Sequence, residues 1–227
     1  MKSRKLYIVA AIVGCLAAGL ILFAPVLQDT CSASDLDLAL LGACKGRDPA
    51  KVQRLLDQGA DVNARDEDGR TALITACLFG NPGVVEVLLL RRAEVNARSD
   101  DGSTALMTAA GQGQADIVKM LLECGAEVNA QEDHGFTALM AAAHFGRLDV
   151  VRLLVSSGAD VNAKGNNGAT ALIRAALESH IEIIWLLVEH GADINARDKD
   201  GHTALDVASS RGAENVREFL LKHGAKK

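Results

Sequence analysis

Gly69-Arg-Thr-Ala-Leu73 is a stretch that the chain states five times, the other copies being Gly102-Ser-Thr-Ala-Leu106, Gly135-Phe-Thr-Ala-Leu139, Gly168-Ala-Thr-Ala-Leu172 and Gly201-His-Thr-Ala-Leu205. Each copy begins 33 residues after the one before, with no insertion. An apolar run follows at constant distance: Val84–Leu90, Ile117–Leu122, Val150–Val155, Ile183–Val188 and Val216–Leu221. A closing turn ends the unit, as in Gly59-Ala-Asp-Val-Asn-Ala64, Gly125-Ala-Glu-Val-Asn-Ala130, Gly158-Ala-Asp-Val-Asn-Ala163 and Gly191-Ala-Asp-Ile-Asn-Ala196. A fixed period in this range is the mark of a stacked array, in which one unit contains the fold in miniature.

The local signals within one unit agree. Thr71 stands where its hydroxyl can accept from the free N–H groups of a helix start, which predicts a helix from there to about Phe79. Gly80 stops that helix, because a residue without Cβ accepts the left-handed conformation. Val84 to Leu89 then read as a second helix buried against neighbours on both sides, with Glu86 outward. Each unit is therefore helix, short loop, helix, and a turn or hairpin. Residues 36–68 form a degenerate first unit that keeps the second helix and the exit turn. Full units follow at 69–101, 102–134, 135–167 and 168–200, and 201–227 is a shortened last one. Atypical end units are expected, since a terminal helix pair has one face open to water.

The pattern resembles the ankyrin repeat over residues 36–227, of the bacterial type that carries an N-terminal anchor or signal segment. The resemblance implies an all-α repeat solenoid of stacked helix-turn-helix units with hairpin tips, whose partners bind along a concave groove. It departs from the family in detail. The family's Thr-Pro-Leu-His appears here as Thr-Ala-Leu followed by Ile74, Met107, Met140, Ile173 or Asp206. Arg92 replaces the exit glycine and Ser179 the mid-unit glycine, so those two turns are expected to be strained.

The first 35 residues are of another kind. Lys2, Arg4 and Lys5 precede an uncharged run of 22 residues, 6–27. As a helix this run rises about 33 Å, enough for a hydrocarbon core of ~30 Å. It is read as an N-terminal transmembrane anchor, with residues 1–5 a basic cytoplasmic end and 28–35 a linker. Two alternatives stay open: a signal segment cut near Cys31-Ser-Ala33, or a lipoprotein signal at Ile12-Val-Gly-Cys15. Basic residues before the run and Asp29, Asp35 and Asp37 after it put the repeats on the extracytoplasmic side, periplasmic or extracellular. Of the five cysteines, Cys44 and Cys77 hold the same slot of adjacent units. Neighbouring layers lie on the order of 10 Å apart, too far for a disulfide, whose Cα atoms are ~4.4–6.8 Å apart. Cys31 is within reach of Cys44, and Cys124 is expected at the surface.

A net charge of −5 gives no footprint for nucleic acid, and aromatic residues make up only 3% of the chain. Asp66-Glu-Asp-Gly69 and Asp198-Lys-Asp-Gly201 resemble calcium loops, but the first ligand slot holds Ala64 or Ala196 and the twelfth holds Thr75 or Val207. The sequence has no Cys-x-x-Cys or His-x-x-x-His pair, no phosphate loop and no Gly-x-Ser-x-Gly. The reading is a non-enzymatic protein without metal, cofactor or small-molecule substrate. The recurring Asn63, Asn96, Asn129, Asn162 and Asn195 are read as residues that satisfy their own turn backbone.

Positions that vary between units carry more information. The resemblance places the end of each first helix and the hairpin tips along the groove, where this sequence has Leu78, Phe79, Phe136, His144, Phe145 and Leu177. An apolar cluster rimmed by Arg70, Asp101, His134 and Lys164 has the composition of an interface core. Phe79 and Phe145 have packing against the next unit as their alternative. Trp185 stands where other units have Glu86, Lys119, Arg152 and Glu218, so it is expected on the outer face, either flat over its neighbours or as a second contact site. The expected function is a protein–protein interaction module tethered to a membrane. The alternative is a secreted effector or inhibitor released by cleavage.

Overall fold

The computed structural model describes residues 33–226. These form helices in six consecutive pairs: α1 (Ala33–Cys44) with α2 (Pro49–Asp57), α3 (Ala72–Phe79) with α4 (Pro82–Leu90), α5 (Ala105–Gln112) with α6 (Ala115–Glu123), α7 (Ala138–His144) with α8 (Leu148–Ser156), α9 (Ala171–Leu177) with α10 (Ile181–Glu189), and α11 (Ala204–Ser210) with α12 (Glu214–Lys222). No strand is formed among the described residues; the hairpin tips contain only isolated bridges, such as Arg65 to Thr71. The uncharged run 6–27, Cys15 and Cys31 lie outside the described residues. Among those described, no helix is long and apolar enough to cross a membrane. The first helix begins at Ala33, inside the stretch read from sequence as linker.

The helix starts follow from the repeated threonine. Thr71, Thr104, Thr137, Thr170 and Thr203 are buried N-caps, and their hydroxyls accept from Ile74, Met107, Met140, Ile173 and Asp206 N–H at 3.2–3.4 Å. Such a cap contributes ~1 kcal/mol. The second helices start differently. From α4 to α12 they have no side-chain cap, and in three units the residue at that place reaches back to the preceding unit instead. Asn81 donates to the carbonyl of Gly46, Arg147 to that of Gly111 at 3.1 Å and His180 to that of His144 at 3.1 Å.

Alanine sets the spacing of the stack. Ala72 and Ala76 on α3, Ala105 and Ala109 on α5, and Ala138 and Ala142 on α7 are buried where successive first helices meet. Leu73, Leu106, Leu139, Leu172 and Leu205 point into the core from the same helices, and Val84, Ile117, Val150, Ile183 and Val216 meet them from the second row. First helices pack against one another more intimately than second helices do.

The asparagines do more than the sequence reading assigned to them. Asn129 Oδ1 accepts from Asp160 N–H at 2.8 Å while its Nδ2 donates to Gly158 O at 3.2 Å, both in the following unit. Asn96, Asn162 and Asn195 make the same pair of bonds. Where an aspartate stands two residues earlier it holds the local turn, Asp61, Asp160 and Asp193 accepting from Asn63, Asn162 and Asn195 N–H at 2.9–3.0 Å. Only one bond of the pair forms at Asn63, to Glu94 N–H at 2.9 Å. The missing acceptor would be the carbonyl of Arg92, the residue in the place of the exit glycine. In the first pair, Asp37 Oδ1 takes the N–H of Asp61 at 2.7 Å, filling in for a preceding unit's asparagine.

Close stacking also brings the tips within main-chain reach. Asp100 N–H donates to Asp68 O at 3.1 Å, Asp133 to Asp101 at 3.0 Å, Asn166 to His134 at 2.7 Å and Lys199 to Asn167 at 2.9 Å. Arg65 reinforces this by donating to Gly69 O at 2.7 Å and Arg98 O at 2.6 Å; Gln131 repeats it at Gly135 O and Lys164 O, both 3.0 Å. Inside each tip one side chain gathers the turn. Asp66 accepts from Asp68 and Arg70 N–H at 3.0 and 2.9 Å, and Glu132 from His134 and Phe136 at 2.9 and 2.8 Å. In the second tip Asp101 does this, taking Ser99 Oγ at 2.6 Å and Ser103 N–H at 3.0 Å.

Two outcomes follow from these joints. Arg92 and Ser179 have φ of 61° and 60°, the left-handed conformation expected of glycine at their places. Replacing either by glycine relieves ~1–2 kcal/mol of steric cost against an added chain entropy of ~0.5–1 kcal/mol. Arg92→Gly and Ser179→Gly should each raise the urea midpoint, by ~0.5–1 kcal/mol of stability; a lowered midpoint for both would contradict the strain. The second outcome concerns acid. The Ser99 hydroxyl and then the Ser103 N–H, against an opposing effect of burial, hold the Asp101 carboxyl below its ordinary value. A depressed folded pKa gives stability that is complete above the unfolded value of ~3.9 and lost as pH falls through the folded one. Asp101→Ala should therefore be destabilised at pH 7, and its deficit in urea unfolding should narrow as the solution is acidified below the carboxylate range.

Candidate functional site

The tips and the first helices together form a trough of two hollows that meet at Ser103 and Thr108. The first encloses about 480 Å³ and lies between the first two tips and helices α3 and α5. Its walls are Glu67, Asp68, Asp100 and Asp101 with Arg70, and its floor includes Ile74, Leu78 and Thr108. The second encloses about 300 Å³ and is almost wholly apolar, lined by Met107, Phe136, Thr137 and Ala141 under Glu132 and His134.

The charges of the trough are ordered by the tips that carry them. Arg70 donates through Nε to Asp66 at 3.0 Å and also pairs with Asp68. Its pKa is raised, chiefly by the bond to Asp66. Burial works to raise the Asp66 carboxyl, but the Arg70 N–H, the guanidinium and the Asp68 N–H outweigh it and leave it below its usual value. Glu132 is lowered in the same way: burial opposes, while the His134 and Phe136 N–H groups and the His134 ring at 3.0 Å prevail.

The Arg174 guanidinium covers the Phe136 ring, 4.3 Å from its centroid. Burial lowers the Arg174 pKa, partly offset by the charge of Asp198. Its Nε is buried without a hydrogen-bond partner, so the ring face is what compensates it. A cation over an aromatic face contributes ~0.5–2 kcal/mol. Phe136 is thereby held in one position at the end of the trough.

Of the residues singled out in the sequence, the structure brings Leu78 and Phe136 into the trough, along with Arg70, Asp101 and His134 of the expected rim. It does not bring Phe79, His144, Phe145, Leu177 or Lys164 there. Phe79, the last residue of α3, is 46% exposed. Phe145 follows α7 and is 55% exposed, with its ring edge-on to His144 and close to Gly111 in the preceding unit. His144 is half-buried, with Nδ1 3.8 Å from Glu178. Leu177 ends α9, half-buried. Trp185 is 43% exposed on the second row, where its counterparts Glu86, Lys119, Arg152 and Glu218 are also exposed. Sequence reasoning missed Ile74, Met107, Thr108 and Arg174. Their signal was the two places after Thr-Ala-Leu, with Ile74 and Met107 at the first and Thr108 and Arg174 at the second.

Cys44 and Cys77 are buried free thiols and Cys124 is an exposed one. Burial pushes the Cys44 thiol up to about 12 and raises Cys77 as well. Asp198, Asp200 and His202 have possible ligand atoms within 4.8 Å of one another. Asp198 already accepts from the N–H groups of Asp200 and His202 at 3.0 and 2.8 Å, the same turn-gathering role that Asp66 has in the first tip.

No curated protein matches the chain. The family model described as ankyrin repeats (three copies) matches residues 8–99, 40–132, 89–165 and 160–227, so together the matches span far more than half of the sequence. With six helix pairs among the described residues, tips bonded to one another and a trough beneath them, the chain belongs to the ankyrin-repeat family, whose stacked units are protein-binding modules.

Proposed function

We propose that this protein holds a protein partner in the trough and that residues 6–27 tether it to a membrane, with the repeats on the extracytoplasmic side. The observation that carries the binding reading is the apolar floor of Ile74, Leu78, Met107 and Phe136, bounded by polar tips. An apolar centre inside a polar rim is the anatomy of a protein interface. Half-exposed Phe79 and Phe145, with His144 and Leu177, stand at the loop ends of their helices and extend the contact surface beyond the trough. Trp185 offers a second contact on the opposite row. The tether reading is supported by the sequence alone, through the length of the uncharged run and the basic residues before it.

Partner captured by the full-length protein should bind less tightly to Leu78→Ala and Phe136→Ala, each by ~2 kcal/mol or roughly thirtyfold in Kd. Phe79→Ala and Phe145→Ala should cost less than tenfold, about 1 kcal/mol, because their rings remain half in water. Thermal melts of all four variants separate binding from folding. Unchanged affinity in folded Leu78→Ala and Phe136→Ala would remove the trough from consideration.

The tether has its own measurement. Carbonate washing of membranes should leave the full-length protein in the pellet, with Met1 intact. A product starting near Ser34 and found in the wash would favour release by cleavage, and intact protein in the wash would defeat both.

A further inference from the structure

We infer that the trough selects a basic peptide segment carrying a large apolar side chain, an assignment that rests on the groove-binding reading above. The tips change character along the array. The first two present Glu67, Asp68, Asp100 and Asp101 to the trough, whereas the fourth, Gly165-Asn-Asn167, has no charge and the fifth sets Lys199 between two aspartates. Arg70, the one lysine or arginine lining the trough, is already held by Asp66 and Asp68. Glu67 and Asp100 are exposed and make no side-chain hydrogen bond or ion pair among the described residues.

The geometry separates two tasks. Carboxylates on the wall remain hydrated until a cation arrives, so they draw a basic segment in and fix its direction along the array. The apolar hollow under Glu132 then receives the anchoring side chain against Met107 and the immobilised Phe136 ring. Anchors of this kind supply most of the affinity of an interface. An acidic or uncharged partner finds the same floor but meets unscreened carboxylates at the entrance.

The test uses full-length protein in neutral-detergent micelles, with empty micelles as blank, and three short fluorescein-labelled peptides: alternating Lys and Leu, alternating Glu and Leu, and alternating Lys and Ser. Fluorescence anisotropy should show binding of the Lys–Leu peptide, weakened as salt rises. The Glu67→Gln/Asp100→Asn double variant should weaken it by about tenfold; asparagine is tolerated there, since Asn166 occupies the matching place of the fourth tip. Phe136→Ala should weaken it to a similar degree, and Asp200→Asn on the fifth tip should leave it unchanged. The Glu–Leu and Lys–Ser peptides should bind at least tenfold more weakly. Equal binding of the Glu–Leu peptide that depends on Phe136, or a double variant within twofold of the parent, would overturn the charge assignment and keep the trough as a binding site. Absence of Phe136-dependent binding by all three peptides would overturn both readings.

Discussion

Contact between alanine faces of successive first helices is the constraint from which the rest of this structure follows. With no side chain beyond Cβ at positions such as Ala76, Ala109 and Ala142, each helix lies close against the next. Interiors are packed to near-crystalline density, so one added methylene at such a contact is felt and larger side chains cost ~1–3 kcal/mol. The second row, built of valine, leucine and isoleucine, keeps its helices further apart. On the side of the first row, tips and first helices face one another across the two hollows of the trough.

The same close spacing makes possible a polar framework that runs from unit to unit. Tip-to-tip main-chain bonds, the arginine and glutamine clamps and the bidentate asparagines all span one repeat interval, and none would form at a wider spacing. Many of these groups are exposed, and each bond contributes only ~0.5–1.5 kcal/mol. Their common effect is registry. They fix each unit against its neighbour, and the apolar core alone would tolerate some sliding. At the joint between the first two units the framework loses one bond, because Asn63 makes one instead of two and Arg92 sits in the left-handed region.

The trough depends on both layers of organisation. Its floor consists of residues that the helices turn toward the tips, and its walls consist of carboxylates whose backbone positions the tips hold in place. Phe136 shows how the two combine. Its N–H is held by Glu132 in the tip, while its ring is covered by Arg174 from the next unit, so that side chain is ordered before any partner arrives. Preorganisation of this sort lowers the entropy lost on binding.

How much of this was legible differs from residue to residue. Period, helix pairing, threonine caps and the two strained turns at Arg92 and Ser179 were all determined by the sequence itself, because each depends on neighbours a few positions away and recurs at fixed spacing. The candidate site was legible only in part. Leu78 and Phe136 were singled out because they vary among units, and both line the trough; Phe79 and Phe145, singled out with them, stand outside it, since the angle at which a helix end leaves the stack is not written in its spacing. The asparagine bonds, the cover of Arg174 over Phe136 and the meeting of two hollows at Thr108 join residues about one repeat apart. Only tertiary packing decides such contacts, because they depend on how far apart and at what angle one unit comes to rest on the next.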